Sequence, residues 1–137
     1  MQKSKGVLII DNNPVCNYMS REFFMRMEYY QSICFCRNGR EALRFLKKHQ
    51  NNLPELILLD PDLPFMNGYD FLSTITMEGF DKSRTKIVLF SIGCKEISLA
   101  QKKYKLEFID KPLTAEKFYQ TVGIQNTERK LVEQSWK

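Results

Sequence analysis

The sequence predicts an α/β fold, a three-layer sandwich with a five-stranded parallel sheet between two layers of helices. Two observations carry that reading. Short aliphatic runs without polar alternation, of which Leu56-Ile57-Leu58-Leu59 is the cleanest, read as strands buried on both faces. Such runs alternate with stretches of helical apolar spacing across short connections, and right-handed crossovers then put helices on both sides of the sheet.

Taken in order, Lys5 to Ile10 (KGVLII) is the first strand, ending at Asp11-Asn12-Asn13-Pro14. Asn12 or Asn13 is placed to cap the next helix, and Pro14 suits its first turn. That helix runs to about Met27, with Val15, Tyr18, Met19, Phe23 and Phe24 as its inner stripe. Ser32 to Cys36 is the second strand. Asn38-Gly39 closes the turn into a helix whose apolar face is Ala42, Leu43, Phe45 and Leu46. Asn51-Asn52-Leu53-Pro54 breaks it before the central strand, 56–59. A helix from about Gly68 to Thr76 uses Phe71, Leu72 and Ile75. Lys86 to Phe90 (KIVLF) is the fourth strand, a more polar helix covers about Lys95 to Lys103, and Glu107 to Ile109 is the fifth strand. Thr114 then caps a last helix with Ala115, Phe118, Tyr119 and Val122 at helical spacing. The domain occupies 5–123, and the tail 124–137 has the pattern of one short extra helix.

Composition narrows the function classes. The chain of 137 residues, with 43% hydrophobic and 27% charged residues, is that of one ordinary globular domain. No apolar run approaches the roughly 18 residues of a membrane span, and the start leads straight into a strand. The expectation is a cytoplasmic protein with no membrane contact. The net charge of +5 spreads 21 basic residues among 16 acidic ones, with only Lys102, Lys103 and Lys105 forming a knot, so a nucleic-acid partner is not expected. Cys34 and Cys36 share one side of a strand, and with no C-x-x-C pair the cysteines read as buried thiols. His49, the sole histidine, reads as a helix-end residue.

In a parallel sheet the residues just past strands one, three, four and five converge on one edge: Asp11 and Asn12, Asp60, Ser91 and Lys111. Pro61, Pro64 and Asn67-Gly68 turn the chain sharply after Asp60. In open α/β sheets this is the edge where ligands collect. Oxygen donors there suit a hard ion such as Mg²⁺. An ammonium and a hydroxyl suit phosphoryl oxygens, and a carboxylate can become an acyl phosphate.

Four signatures, LIIDNNP, LILLDPDLPFMNGYDFL, KIVLFS and EFIDKPL, stand in order on the right elements, and with them residues 5–123 resemble a receiver domain of the two-component response regulators. The resemblance implies a flavodoxin-like (βα)5 fold with strand order 2-1-3-4-5. It implies that Asp60 is the phosphoacceptor, served by a sensor histidine kinase or a phosphotransfer protein. Asp11, Asp60 and the backbone carbonyl of Asp62 would hold Mg²⁺, with Asn12 as a weakened further ligand. Ser91 would meet the phosphoryl oxygens and Lys111 the phosphate charge. Phe108 falls at the aromatic switch position, paired with Ser91 in signalling. The output would be contact with a downstream protein by a stand-alone receiver, a monomer or weak homodimer, whose only chemistry is its own phosphorylation and dephosphorylation.

Two departures bear on that reading. The family carries a second acidic residue where this chain has Asn12. Charges a few ångströms apart interact by up to about 4 kcal/mol at an effective dielectric near 20, and losing even part of that weakens Mg²⁺ binding about tenfold. The side chain of Asp62 is the candidate replacement. Ile92 stands where the family has a small residue, and its bulk would narrow access to the phosphoryl group. Two alternatives follow: a phosphorylation-impaired pseudo-receiver that only docks, or a D-x-D phosphohydrolase built on Asp60-Pro61-Asp62.

Overall fold

The computed structural model describes residues 6–81, 83–93 and 103–123. Five parallel strands lie in the order β2-β1-β3-β4-β5, with β1 Gly6–Ile10, β2 Ser32–Cys36, β3 Leu56–Leu59, β4 Lys86–Ser91 and β5 Glu107–Asp110. The described helices are α1 Pro14–Met27, α2 Gly39–Lys48, α3 Gly68–Met77 and α4 Ala115–Val122. The expected strands and these helices appear within a residue or two of their sequence bounds. The helix expected over Lys95 to Lys103 falls outside the described residues except for Lys103, and so does the tail 124–137.

Capping explains where the helices begin. Asn13 accepts from the amides of Val15 and Cys16, Asn38 from Glu41, Asn67 from Asp70 and Thr114 from Lys117. His49 caps the end of α2, its ring stacked on Phe45 with centroids 4.2 Å apart.

Strand alternation divides the core into two layers. Leu8, Ile10, Ile57, Leu59, Ile87 and Leu89 face α2 and α3, with Cys36 buried and Cys34 partly buried among them. Burial pushes the Cys36 thiol up to about 12, as a free thiol in an apolar layer should be. Val7, Ile9, Leu56, Leu58, Val88, Phe90 and Ile109 face α1 and α4.

One expectation is corrected. Val15, Tyr18 and Met19 are exposed, and α1 buries Ser20, Phe23, Phe24 and Met27 instead. Phe24 and Met27 fix the inner line of this helix. Stepping back along it by helical turns reaches Ser20 and then Cys16 and Asn17, while Val15, Tyr18 and Met19 lie to one side.

Candidate phosphoacceptor site

The sheet ladder extends one residue past three of its strands and so fixes the backbones of the site. Asp11 N donates to Cys36 O, Asp60 N to Ile10 O and Lys111 N to Ser91 O, each at 3.0 Å. Asp11, Asp60 and Lys111 continue the alternation of Ile9, Leu58 and Ile109, which puts their side chains toward the α1 and α4 side.

There the three meet. Lys111 Nζ donates to Asp60 Oδ2 at 2.9 Å and lies 2.7 Å from Asp11 Oδ2. The second contact is a close charge-assisted pair, so the buried Oδ2 of Asp11 has the same ammonium as its partner. The side chains of Lys111 and Asp60 are only 8% and 13% exposed. The ammonium also lies 5.2 Å from the centre of the Phe90 ring, within cation–π range. Asp11 Oδ1 accepts from Asn13 N and Asp60 Oδ1 from Asp62 N, both at 2.9 Å.

Asp60 and Lys111 differ in how well each is compensated. Burial pushes the Asp60 carboxyl up, and the hydrogen bonds and charge of Lys111 recover only part of this while the Asp11 charge adds to it. For Lys111 burial works against the ammonium, but the contacts and charges of Asp11 and Asp60 outweigh burial and raise it. Two carboxylates share one cation, so the cation is held firmly and the anions are undercompensated. A cluster left one negative charge in excess is a site for a further cation.

The donors present fit a hard metal ion in kind: carboxylates of Asp11 and Asp60, a backbone carbonyl and an amide. The observation in favour is that two enclosed carboxylates share a single ammonium, which leaves negative charge in excess. No three His, Cys, Asp or Glu side chains gather into a cage among the described residues, and Mg²⁺ ordinarily needs only one or two carboxylates beside its waters. Asn12 is exposed and makes no hydrogen bond among the described residues. Asp62 meets Asp60 through its backbone amide.

Ser91 sits at the end of β4, and its hydroxyl makes only a long 3.4 Å contact to Ile92 O among the described residues. It continues the parity of Leu89 and so leaves the strand on the opposite side from Asp60 and Lys111. Phe108 pairs with Leu89 across β4 and β5 and is partly buried against that same layer. Ser91 and Phe108 thus share a side, while the carboxylates and Lys111 share the other.

Two features escaped the sequence reading. Asn17 donates its amide to Asp11 O at 2.9 Å and holds the β1 end from α1. Its position on the inner line of α1, once Phe24 and Met27 set that line, is the signal that would have found it. The loop after Asp60 is also clamped by two glycines. Gly68 N donates to Pro61 O and Gly39 N to Met66 O, each at 3.0 Å. A Cβ on Gly68 would lie 2.6 Å from Pro61 Cα, and one on Gly39 would lie 2.8 Å from Met66 O.

Comparison with known proteins agrees with this fold. A family model described as the response regulator receiver domain matches residues 7–123. The transcriptional regulatory protein CitT of Halalkalibacterium halodurans is 27% identical over 134 residues, covering 96% of this chain and 56% of its own length. The chain spans about half the length of several of the curated relatives it matches. A two-component response regulator from Cytophaga hutchinsonii superposes with a TM-score of 0.75 at 20% identity, over 97% of this chain and 99% of that one. A chain of the CheX-CheY-BeF3-Mg+2 complex from Borrelia burgdorferi gives a TM-score of 0.70 at 25% identity, over 88% and 90% of the two chains.

Proposed function

The chain belongs to the response regulator receiver domain family, and we propose that it accepts a phosphoryl group on Asp60 and signals by protein contact. The donor would be a sensor histidine kinase or a phosphotransfer protein, and the reader a downstream protein, in the cytoplasm. The observation that carries the proposal is the Asp60 carboxylate at a strand end, hydrogen-bonded to Lys111 Nζ and Asp62 N with the buried Asp11 paired to the same ammonium.

In the step proposed, a carboxylate oxygen of Asp60 attacks phosphorus and forms an acyl phosphate. The phosphorus–nitrogen bond to the donor imidazole breaks, and its electron pair stays on that nitrogen. Lys111 keeps the nucleophile's position and stands ready to pair with the phosphoryl charge. Asp62 N fixes the rotamer of Asp60, and Asn13 N does the same for Asp11. Mg²⁺ held by Asp11, Asp60 and the Asp62 carbonyl, with Asn12 as a weak further donor, would neutralise charge building on the phosphoryl oxygens.

Signalling follows from the added charge of about −1.5 to −2. The Ser91 hydroxyl, with one long contact among the described residues, would have to turn across the open end of β4 to meet a phosphoryl oxygen. Phe108 lies on Ser91's side of the sheet and would follow into the vacated space. The surface beside β5, with Lys103, Tyr104 and α4, is the proposed reading surface. The chemistry modifies the chain itself and is not turnover of a substrate.

The test is incubation with acetyl phosphate and Mg²⁺ followed by intact mass. Wild type should gain one phosphoryl group and Asp60→Asn none. No gain in wild type would make the chain a docking pseudo-receiver, and repeated release of phosphate from a generic ester would make it a hydrolase.

A further inference from the structure

We propose that Asp110 is a positioning residue that latches the segment after β4 through Gly93, holding the Ser91 hydroxyl back from the phosphoryl oxygens it must meet during transfer to Asp60. The proposal rests on the phosphoacceptor reading of the site and adds a restraint to it. The Asp110 carboxylate accepts from Gly93 N at 2.8 Å. Ser91 and Asp110 are the last register pair of β4 and β5, so their side chains leave the sheet on one side. Phe108, two residues earlier on β5, shares that side.

The post that carries the latch is itself fixed. Lys117 Nζ, from the first turn of α4, donates to Asp110 O at 3.0 Å and to Pro112 O at 3.2 Å. Lys111 N donates to Ser91 O at 3.0 Å, the next rung between the two strands. The segment from Ser91 to Gly93 is therefore held at both ends, by a backbone bond at Ser91 and by a side chain at Gly93. Packing adds little, because Ile92 is 74% exposed and a Cβ at position 93 would meet only the Asp110 oxygen, at 3.9 Å.

The two bonds differ in what they allow. The one at Ser91 O belongs to the sheet and leaves the direction of the hydroxyl open, with a single long contact of 3.4 Å to Ile92 O among the described residues. Bringing that hydroxyl from its own side of the sheet to Asp60 turns the peptides that follow it, and this pulls Gly93 N off the carboxylate. An exposed hydrogen bond is weak enough to break there and opposes the turn by about fivefold.

The experiment uses the full chain, labelled with 15N, as wild type, Asp110→Ala and Asp110→Asn. With no phosphodonor present, amide hydrogen exchange at Gly93 should be about fivefold faster in Asp110→Ala. Asp110→Asn, whose amide oxygen still accepts, should return it toward the wild-type rate. An unchanged Gly93 rate in Asp110→Ala, folded by circular dichroism, overturns the latch. With acetyl phosphate and Mg²⁺, Asp110→Ala should take up the phosphoryl group about fivefold faster than wild type, and the gain should vanish once Ser91→Ala is added. Equal rates, or a gain that survives loss of the hydroxyl, overturn the link to Ser91. Should Asp110→Ala not fold, Asp110→Ser takes its place, since its shorter side chain falls short of Gly93 N. The exchange measurement needs no phosphoryl transfer. A chain that takes up no phosphoryl group therefore loses the phosphoacceptor reading, while the latch is still judged on Gly93.

Discussion

The layer between the sheet and helices α1 and α4 and the strand ends directly above it follow opposite rules. In the layer, Phe24 meets Phe23, Tyr30 and Phe118 edge to face at 5.2, 5.4 and 5.8 Å, and all four rings are buried. Where the same strands run out, Asp11, Asp60 and Lys111 are nearly as enclosed but carry charge. Burial stabilises an apolar side chain by about 1.5–3 kcal/mol, whereas for a carboxylate it is a cost that an incomplete ion pair only partly offsets. The lower region holds the fold, and the upper one gives up stability to keep charge at the strand ends.

Opening the aromatic layer should have the largest effect. Phe118→Ala removes a fully buried ring that touches Phe23, Phe24 and Tyr30. It should lower unfolding free energy by about 3–5 kcal/mol in a urea titration. Phe65→Ala is the control, since that ring is 88% exposed in the loop after Asp60. It should change stability by less than about 0.5 kcal/mol. Equal losses from the two would mean that the ring layer does not hold the fold.

A smaller effect comes from the loop that joins the two regions. Gly68→Ala would drive a methyl to 2.6 Å from the backbone at Pro61. Backbone cannot rotate away as a side chain does, so a loss of about 1–3 kcal/mol is expected. Phosphoryl acceptance by Asp60 from acetyl phosphate should slow as well, because the displaced loop carries the Asp62 amide that orients its carboxylate. Full stability with full rate would show that the loop yields freely.

How much of this was legible depends on the range of the interactions involved. Strand β3 was readable because four aliphatics in a row require burial on both sides, and the helix starts because Asn13, Asn38, Asn67 and Thr114 cap amides within three residues of themselves. The meeting of Asp11, Asp60 and Lys111 at one edge followed from parallel topology. What did not follow was tertiary in origin. Apolar type alone could not tell Met19 from Ser20, because the sheet selects the inner line of α1. The contact of Gly39 with Met66 and the sharing of Lys111 between two carboxylates join residues far apart in sequence. No local pattern encodes them.

The smallest expected effect has the most informative sign. Asp60 has its carboxyl raised by burial, so its neutral form suits the folded chain better than its charged form. The stability it contributes is present below the unfolded value near 3.8 and is lost as pH rises through the folded value. At neutral pH the charged carboxylate therefore costs stability. Asp60→Asn, near-isosteric and neutral, should be the more stable protein there by about 1 kcal/mol or less, and the gap should close as pH falls toward 4. Lys111 carries the opposite sign. Its raised value keeps it charged in the folded state, so its contribution persists through neutral pH and is lost only above its ordinary value of 10.5. Paired thermal melts in EDTA between pH 4 and 8 test this. An Asp60→Asn variant less stable than wild type at pH 7 would mean that the ion pair with Lys111 outweighs burial, and the strand ends would then stabilise the fold alongside the aromatic layer.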